Sequence, residues 1–138
     1  MRVFLVRHGD ARGSLTENGR MQISATANFL ESLKLDPLKT VLLTSERQMA
    51  VETAEIIRER FGFNNCLQKS WLTCGTDEHT KFCLENFIRD NPQFETVICV
   101  SHEPELEEVL RALGFYKTVP KGSVHEIQLS TGTASRLY

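Results

Sequence analysis

Residues 3–9 read VFLVRHG, four apolar residues in a row followed by an arginine, a histidine and a glycine. An unbroken apolar run of this length fits a strand buried on both faces, as in a largely parallel sheet, better than the alternation of a half-exposed one. Residues 41–43 (VLL) and 97–100 (VICV) repeat the pattern. Each run ends in polar residues that open a helical pattern, so the chain reads as repeated strand–helix–strand units.

The helical stretches follow from apolar spacing and punctuation. Thr16 is placed to cap a helix running to about Leu33, with Ile23, Ala27 and Leu30 on one face. Ser45 and Gln48 have capping-box spacing, which predicts a helix from Ser45 to about Arg60 closed by Gly62. That register puts Arg47 in the first turn, where the partial positive charge of the helix end disfavours a cation. Residues 66–72 read as a short strand and residues 78–90 as a helix with Leu84, Phe87 and Ile88 aligned. Residues 96–101 form the next strand, and Pro104 suits the first helical position before the stripe Leu106, Val109, Leu110, Leu113 and the stop at Gly114. Residues 124–129 and 134–137, around Thr131-Gly132, read as a hairpin or two edge strands. The expected architecture is one α/β domain over residues 1–138, a three-layer α/β/α sandwich on a mostly parallel sheet.

The 138 residues are 41% hydrophobic and 25% charged, with a net charge of −2. That composition is ordinary for a globular domain able to bury a core. Without a global basic field, neither nucleic acid nor an anionic membrane is an expected partner, and any anion must be held by a local cluster. No 18-residue apolar run is present, and the apolar opening is too short for a signal segment. Cys66, Cys74, Cys83 and Cys99 contain no C-x-x-C pair and no zinc-ligand spacing with a histidine, so they read as reduced thiols of a cytoplasmic protein. His79, near a helix start, and His125, in a strand, read as structural, and Trp71 and the phenylalanines as core.

Ligands of open α/β sheets gather beyond the carboxyl ends of the strands. There this sequence sets Arg7-His8-Gly9, then Ser45 and Arg47, then Ser101-His102. Two imidazoles and two guanidiniums brought to one edge need a compensating anion, and a phosphoryl group supplies one.

LVRHGDA at 5–11, LTENGR at 15–20, TSERQMAVETAEII at 44–57 and VSHEPEL at 100–106 resemble, in order and spacing, the histidine phosphatase superfamily with its phosphoglycerate mutase-like fold. The short length, the RHGDA form and LTCG at 72–75 look most like the SixA-type phosphohistidine phosphatases. The resemblance implies that His8 is the nucleophile and passes through a phosphohistidine. It further implies that Arg7, Arg47 and His102 hold the phosphoryl oxygens, and that neither metal nor other cofactor takes part. The implied substrate is a phosphorylated protein, phosphohistidine foremost, or a small phosphate ester. A weakly active or non-catalytic phosphate-binding module on the same fold is the alternative.

Two positions depart from the family pattern. Its usual general acid beyond the third strand falls here on Asp77 or Glu78, with Glu103 a further carboxyl beside His102. Its second arginine, four residues after the serine, falls on Met49. On a regular helix Arg47 would point about 200° away from that slot, so either the first turn is irregular and Arg47 reaches the pocket by another route, or the pocket has lost a cation.

Overall fold

The computed structural model describes residues 1–73 and 77–138. Its central sheet has six strands: β1 (Arg2–Arg7), β4 (Thr40–Thr44), β5 (Cys66–Gln68), β6 (Thr96–Ser101), β7 (Val124–Gln128) and β8 (Thr133–Arg136), in the order β5-β4-β6-β1-β7-β8. The pairs β5·β4, β4·β6 and β6·β1 are parallel; β7 runs antiparallel to β1, and β8 antiparallel to β7. Only β7 therefore runs against the common direction. A small hairpin that the apolar pattern did not reveal, β2 (Ala11–Arg12) with β3 (Ser14–Leu15), turns at Gly13, whose φ of +82° favours glycine.

Four helices cover the sheet: α1 (Glu17–Ser32), α2 (Gln48–Phe61), α3 (Asp77–Asp90) and α4 (Glu105–Ala112). The alternation of strand side chains assigns each helix to a layer. Phe4, Val6, Leu42, Ile98 and Val100 pack with Ile23, Ala27 and Leu30 of α1 and Ala50, Ala54 and Ile57 of α2. Val3, Leu5, Val41, Leu43, Val97 and Cys99 pack on the other face with Leu84 and Phe87 of α3 and Leu106, Val109 and Leu110 of α4. The architecture is the three-layer α/β/α sandwich expected from the sequence.

Most boundaries fall within a residue or two of expectation. Thr16 caps α1, its side chain accepting from the Gly19 amide, and Gly62 closes α2 at a φ of +72°. Pro104 occupies the N-cap position of α4 rather than its first helical turn. Residues 66–72 form the short β5 and then a 3-10 turn over Ser70–Leu72.

The capping box at Ser45 does not form. The Ser45 amide donates to the Val100 carbonyl at 3.0 Å, extending the β4·β6 ladder by one residue, so Ser45 stays extended. Helix α2 begins at Gln48 with Arg47 as its N-cap, φ −69° and ψ 142°, and no side chain caps it. Arg47 is therefore not inside a first turn, and the angular argument against it lapses.

Candidate active site

Parallel register brings the candidate residues together. Arg7 of β1 lies opposite Ser101 of β6, so His8 and His102 leave adjacent strand ends in step, with ring centroids 6.2 Å apart. Thr44 of β4 lies opposite Val100, which delivers Ser45 and Arg47 to the same edge.

His8 is 9% exposed, and its two nitrogens are distinguished by one contact. Nδ1 lies 2.6 Å from the Gly9 carbonyl oxygen, an acceptor only. Nδ1 therefore donates, and in the neutral ring Nε2 carries the lone pair. Burial lowers the pKa of His8, with the charges of Arg7, His102 and Lys121 acting in the same direction against the Gly9 contact. The ring is held in the neutral form that a nucleophile requires.

The backbone behind His8 is tightly packed. A Cβ on Gly9 would stand 2.6 Å from the Gly19 carbonyl oxygen and 2.9 Å from Ile23, so only glycine fits. The Gly9 amide donates to Thr53 Oγ1 at 3.3 Å, and that hydroxyl donates to the Met49 carbonyl at 2.8 Å. Thr53 thus ties the first turns of α2 to the residue following His8.

Arg7 donates through Nη1 to the Val119 carbonyl at 2.7 Å, which fixes the guanidinium. Its Nε is buried and without a partner among the described residues, a donor left for an anion. Arg47 is exposed, and its charge is felt at His102. Met49 is half-buried against the α1/α2 core. The extended N-cap conformation removes the helical angle that would turn Arg47 from the family's arginine slot, and leaves its charge within range of His102.

His102 is 3% exposed, with Nδ1 3.1 Å from Glu105 Oε2 and 3.4 Å from the Glu103 carbonyl. Its Nε2 is buried and without a partner among the described residues. Burial lowers its pKa, Glu105 and the Glu103 carbonyl oppose this, and Arg47 and Arg7 add to it. Ser101 Oγ donates to the Leu72 carbonyl at 2.6 Å and so holds the strand end. Glu103 titrates at about 7, pushed up by burial and by contact with Glu107.

Arg7, His8, Arg47 and His102 are therefore gathered at one edge. The side chains of the expected acids Asp77 and Glu78, like LTCG from Cys74 onward, lie outside the described residues. His79 lies on α3 and His125 within β7. Among the described residues no three His, Cys, Asp or Glu side chains gather as metal ligands, and no helix is long and apolar enough to cross a membrane.

Three contributors escaped the sequence reading. Glu105 was legible as the residue three after His102, the spacing of neighbours on a helix. The Val119 carbonyl and Lys121, which pairs with Asp10 at 2.9 Å, lie more than a hundred residues from their partners and carry no local signal.

The family model of the histidine phosphatase superfamily, branch 1, matches residues 3–71. The chain belongs to this superfamily. Structures sharing its fold include the protein histidine phosphatase SixA complexed with tungstate, 22% identical with a TM-score of 0.84 over 100% of this chain and 95% of SixA. A mycobacterial glucosyl-3-phosphoglycerate phosphatase complexed with VO3 is 15% identical with a TM-score of 0.71, over 98% of this chain and 96% of the other. Phosphoglycerate mutase from Plasmodium falciparum is 20% identical with a TM-score of 0.69, over 99% and 88%. At such identities the likeness carries the fold. No curated protein matches the sequence significantly.

Proposed function

We propose that the chain is a phosphatase that removes a phosphoryl group from protein phosphohistidine through a phospho-His8 intermediate. The observation that carries this reading is the 2.6 Å contact of His8 Nδ1 with the Gly9 carbonyl, which leaves Nε2 with the lone pair in a ring that feels the charges of Arg7, His102 and Lys121. Nε2 attacks phosphorus, the bond from phosphorus to the leaving nitrogen breaks, and the phosphoryl group passes to His8. Water then attacks the phosphohistidine and His8 leaves as neutral imidazole. Arg7, Arg47 and His102 hold the equatorial oxygens, whose charge grows in a loose transition state.

Phosphohistidine is favoured over a phosphate ester because imidazole leaves phosphorus far more readily than an alkoxide. A departing ring needs one proton and no strong acid. Glu103, titrating at about 7, is the described carboxyl suited to supply it. The likeness to SixA, whose structure holds the oxyanion tungstate, agrees with this substrate class.

A panel of phosphohistidine, phosphoserine and aryl phosphate substrates tests the assignment. Phosphohistidine is expected to give the highest kcat/KM, with phosphoserine at least about 10²-fold lower for want of a strong acid. Preference for a small ester would redirect the substrate assignment. Tungstate or phosphate binding without turnover of any substrate would make the protein a binding module.

A further inference from the structure

Nδ1 of His102 meets the Glu103 carbonyl, an acceptor only, at 3.4 Å, so its single proton in the neutral state belongs there; Glu105 Oε2 stands 3.1 Å from the same nitrogen, a buried oxygen with no hydrogen-bond partner among the described residues. The Glu105 contact is short and dry, with side chains 3% and 9% exposed. The opposite nitrogen, Nε2, is then a buried lone pair with no partner among the described residues. In this state His102 cannot serve a phosphoryl oxygen, because two lone pairs would meet. The ring becomes a donor only by gaining a second proton.

The surrounding charges set when that happens. From β1 come Arg7 and His8, from the start of α2 comes Arg47, and from α4 and its approach come Glu105 and the Glu103 carbonyl. The cations and burial hold the empty ring neutral. A phosphoryl dianion reverses the balance by compensating Arg7 and Arg47, and Glu105 is already in place to stabilise the imidazolium.

We propose that Glu105 is a positioning residue that couples phosphoryl binding to proton uptake by His102, so that the ring meets the anion as an Nε2–H donor. The proposal rests on reading the edge cluster as a phosphoryl site. One proton passes from solvent to Nε2 for each dianion bound and returns when the anion leaves; no covalent bond changes. The carboxylate–imidazole pair acts as a charge reserve that the site draws on only when occupied.

Tungstate separates this proposal from the reading beneath it, since it is a dianion with no proton to exchange near neutrality. Calorimetric titration at about pH 7.5, in buffers of different ionisation enthalpy, measures protons taken up per anion. The full-length wild type is expected to take up a large fraction of one proton. Glu105→Gln is expected to take up less than about half as much and to bind about 10-fold more weakly, since the imidazolium then loses its buried counter-charge. Imidazole 15N shifts of the wild type locate the proton without any variant, and it is expected on His102 Nε2. Tungstate binding without proton uptake, a proton that lands on His8, or undiminished uptake in folded Glu105→Gln would each overturn the role of Glu105. Failure of the wild type to bind tungstate at all would instead overturn the phosphoryl site itself.

Discussion

At the residue scale, the neighbourhood of His8 divides labour between two ring nitrogens, one tied to the backbone and one left for chemistry. Arg47 stands at an N-cap position with an extended backbone, and its charge is felt at His102. Arg47→Ala is expected to lower kcat/KM by about 10²-fold, the usual weight of one donor to a developing oxyanion. Met49→Arg is expected to leave the rate no higher and to lower thermal stability, because the Met49 side chain packs against the α1/α2 core. Steady-state kinetics and thermal melts on the two variants check this; a gain in rate from Met49→Arg would mean that the pocket lacks its second arginine. Residue identities at the site were legible because Arg7, His8, Ser101 and His102 sit at strand ends that the apolar runs mark. The conformation of Arg47 was not, since it depends on a hydrogen bond between Ser45 and a strand fifty-five residues away in the chain.

Elements meet the site through glycines and caps rather than through helix propensity. Gly19 lies inside α1 because a Cβ there would stand 2.0 Å from the Asp10 carbonyl oxygen, and the reciprocal approach of Gly9 to Gly19 leaves no room on either side. Thr16 caps the same helix and donates to Asp10 Oδ2 at 2.8 Å, so the LT..G stretch is the device that seats α1 against the loop behind His8. Gly19→Ala is expected to cost about 2 kcal/mol net through overpacking against backbone, although alanine in a helix interior gains roughly 1 kcal/mol over glycine. Urea unfolding measures the loss, and catalytic activity should fall along with it as the His8 loop shifts. From sequence alone Thr16 could be read as a cap, but the close approach of Gly19 to Asp10 is a tertiary fact without periodicity. The misplaced start of α2 has a similar origin: local capping preference lost to one more rung of a parallel ladder.

For the whole molecule, the layer order follows from strand alternation, and the apolar runs announced it. The order β5-β4-β6-β1-β7-β8 did not follow, because pairing partners in a parallel sheet are chosen by crossovers that leave no mark within each strand. One buried group makes the stability of the assembly depend on pH. His125 in β7 is fully buried edge-on to Phe115 at 4.9 Å, and neither ring nitrogen has a partner among the described residues. Burial, aided by Arg136, lowers its pKa from 6.5 to about 4. Between those values the unfolded chain binds the extra proton, so stability falls as pH drops through that window. His125→Phe removes the titration while keeping the aromatic contact, and its advantage in Tm over wild type should widen by a few degrees from about pH 7.5 to about pH 5. An advantage independent of pH would show that His125 does not titrate there.

The central claim, that His8 Nε2 becomes phosphorylated, is tested most directly by quenching the enzyme during turnover of labelled phosphohistidine and locating the label. The expected adduct is stable in base and labile in acid, maps to His8, and is absent from His8→Ala, whose turnover falls by at least about 10³-fold. An adduct on another residue, or undiminished turnover by His8→Ala, would contradict it.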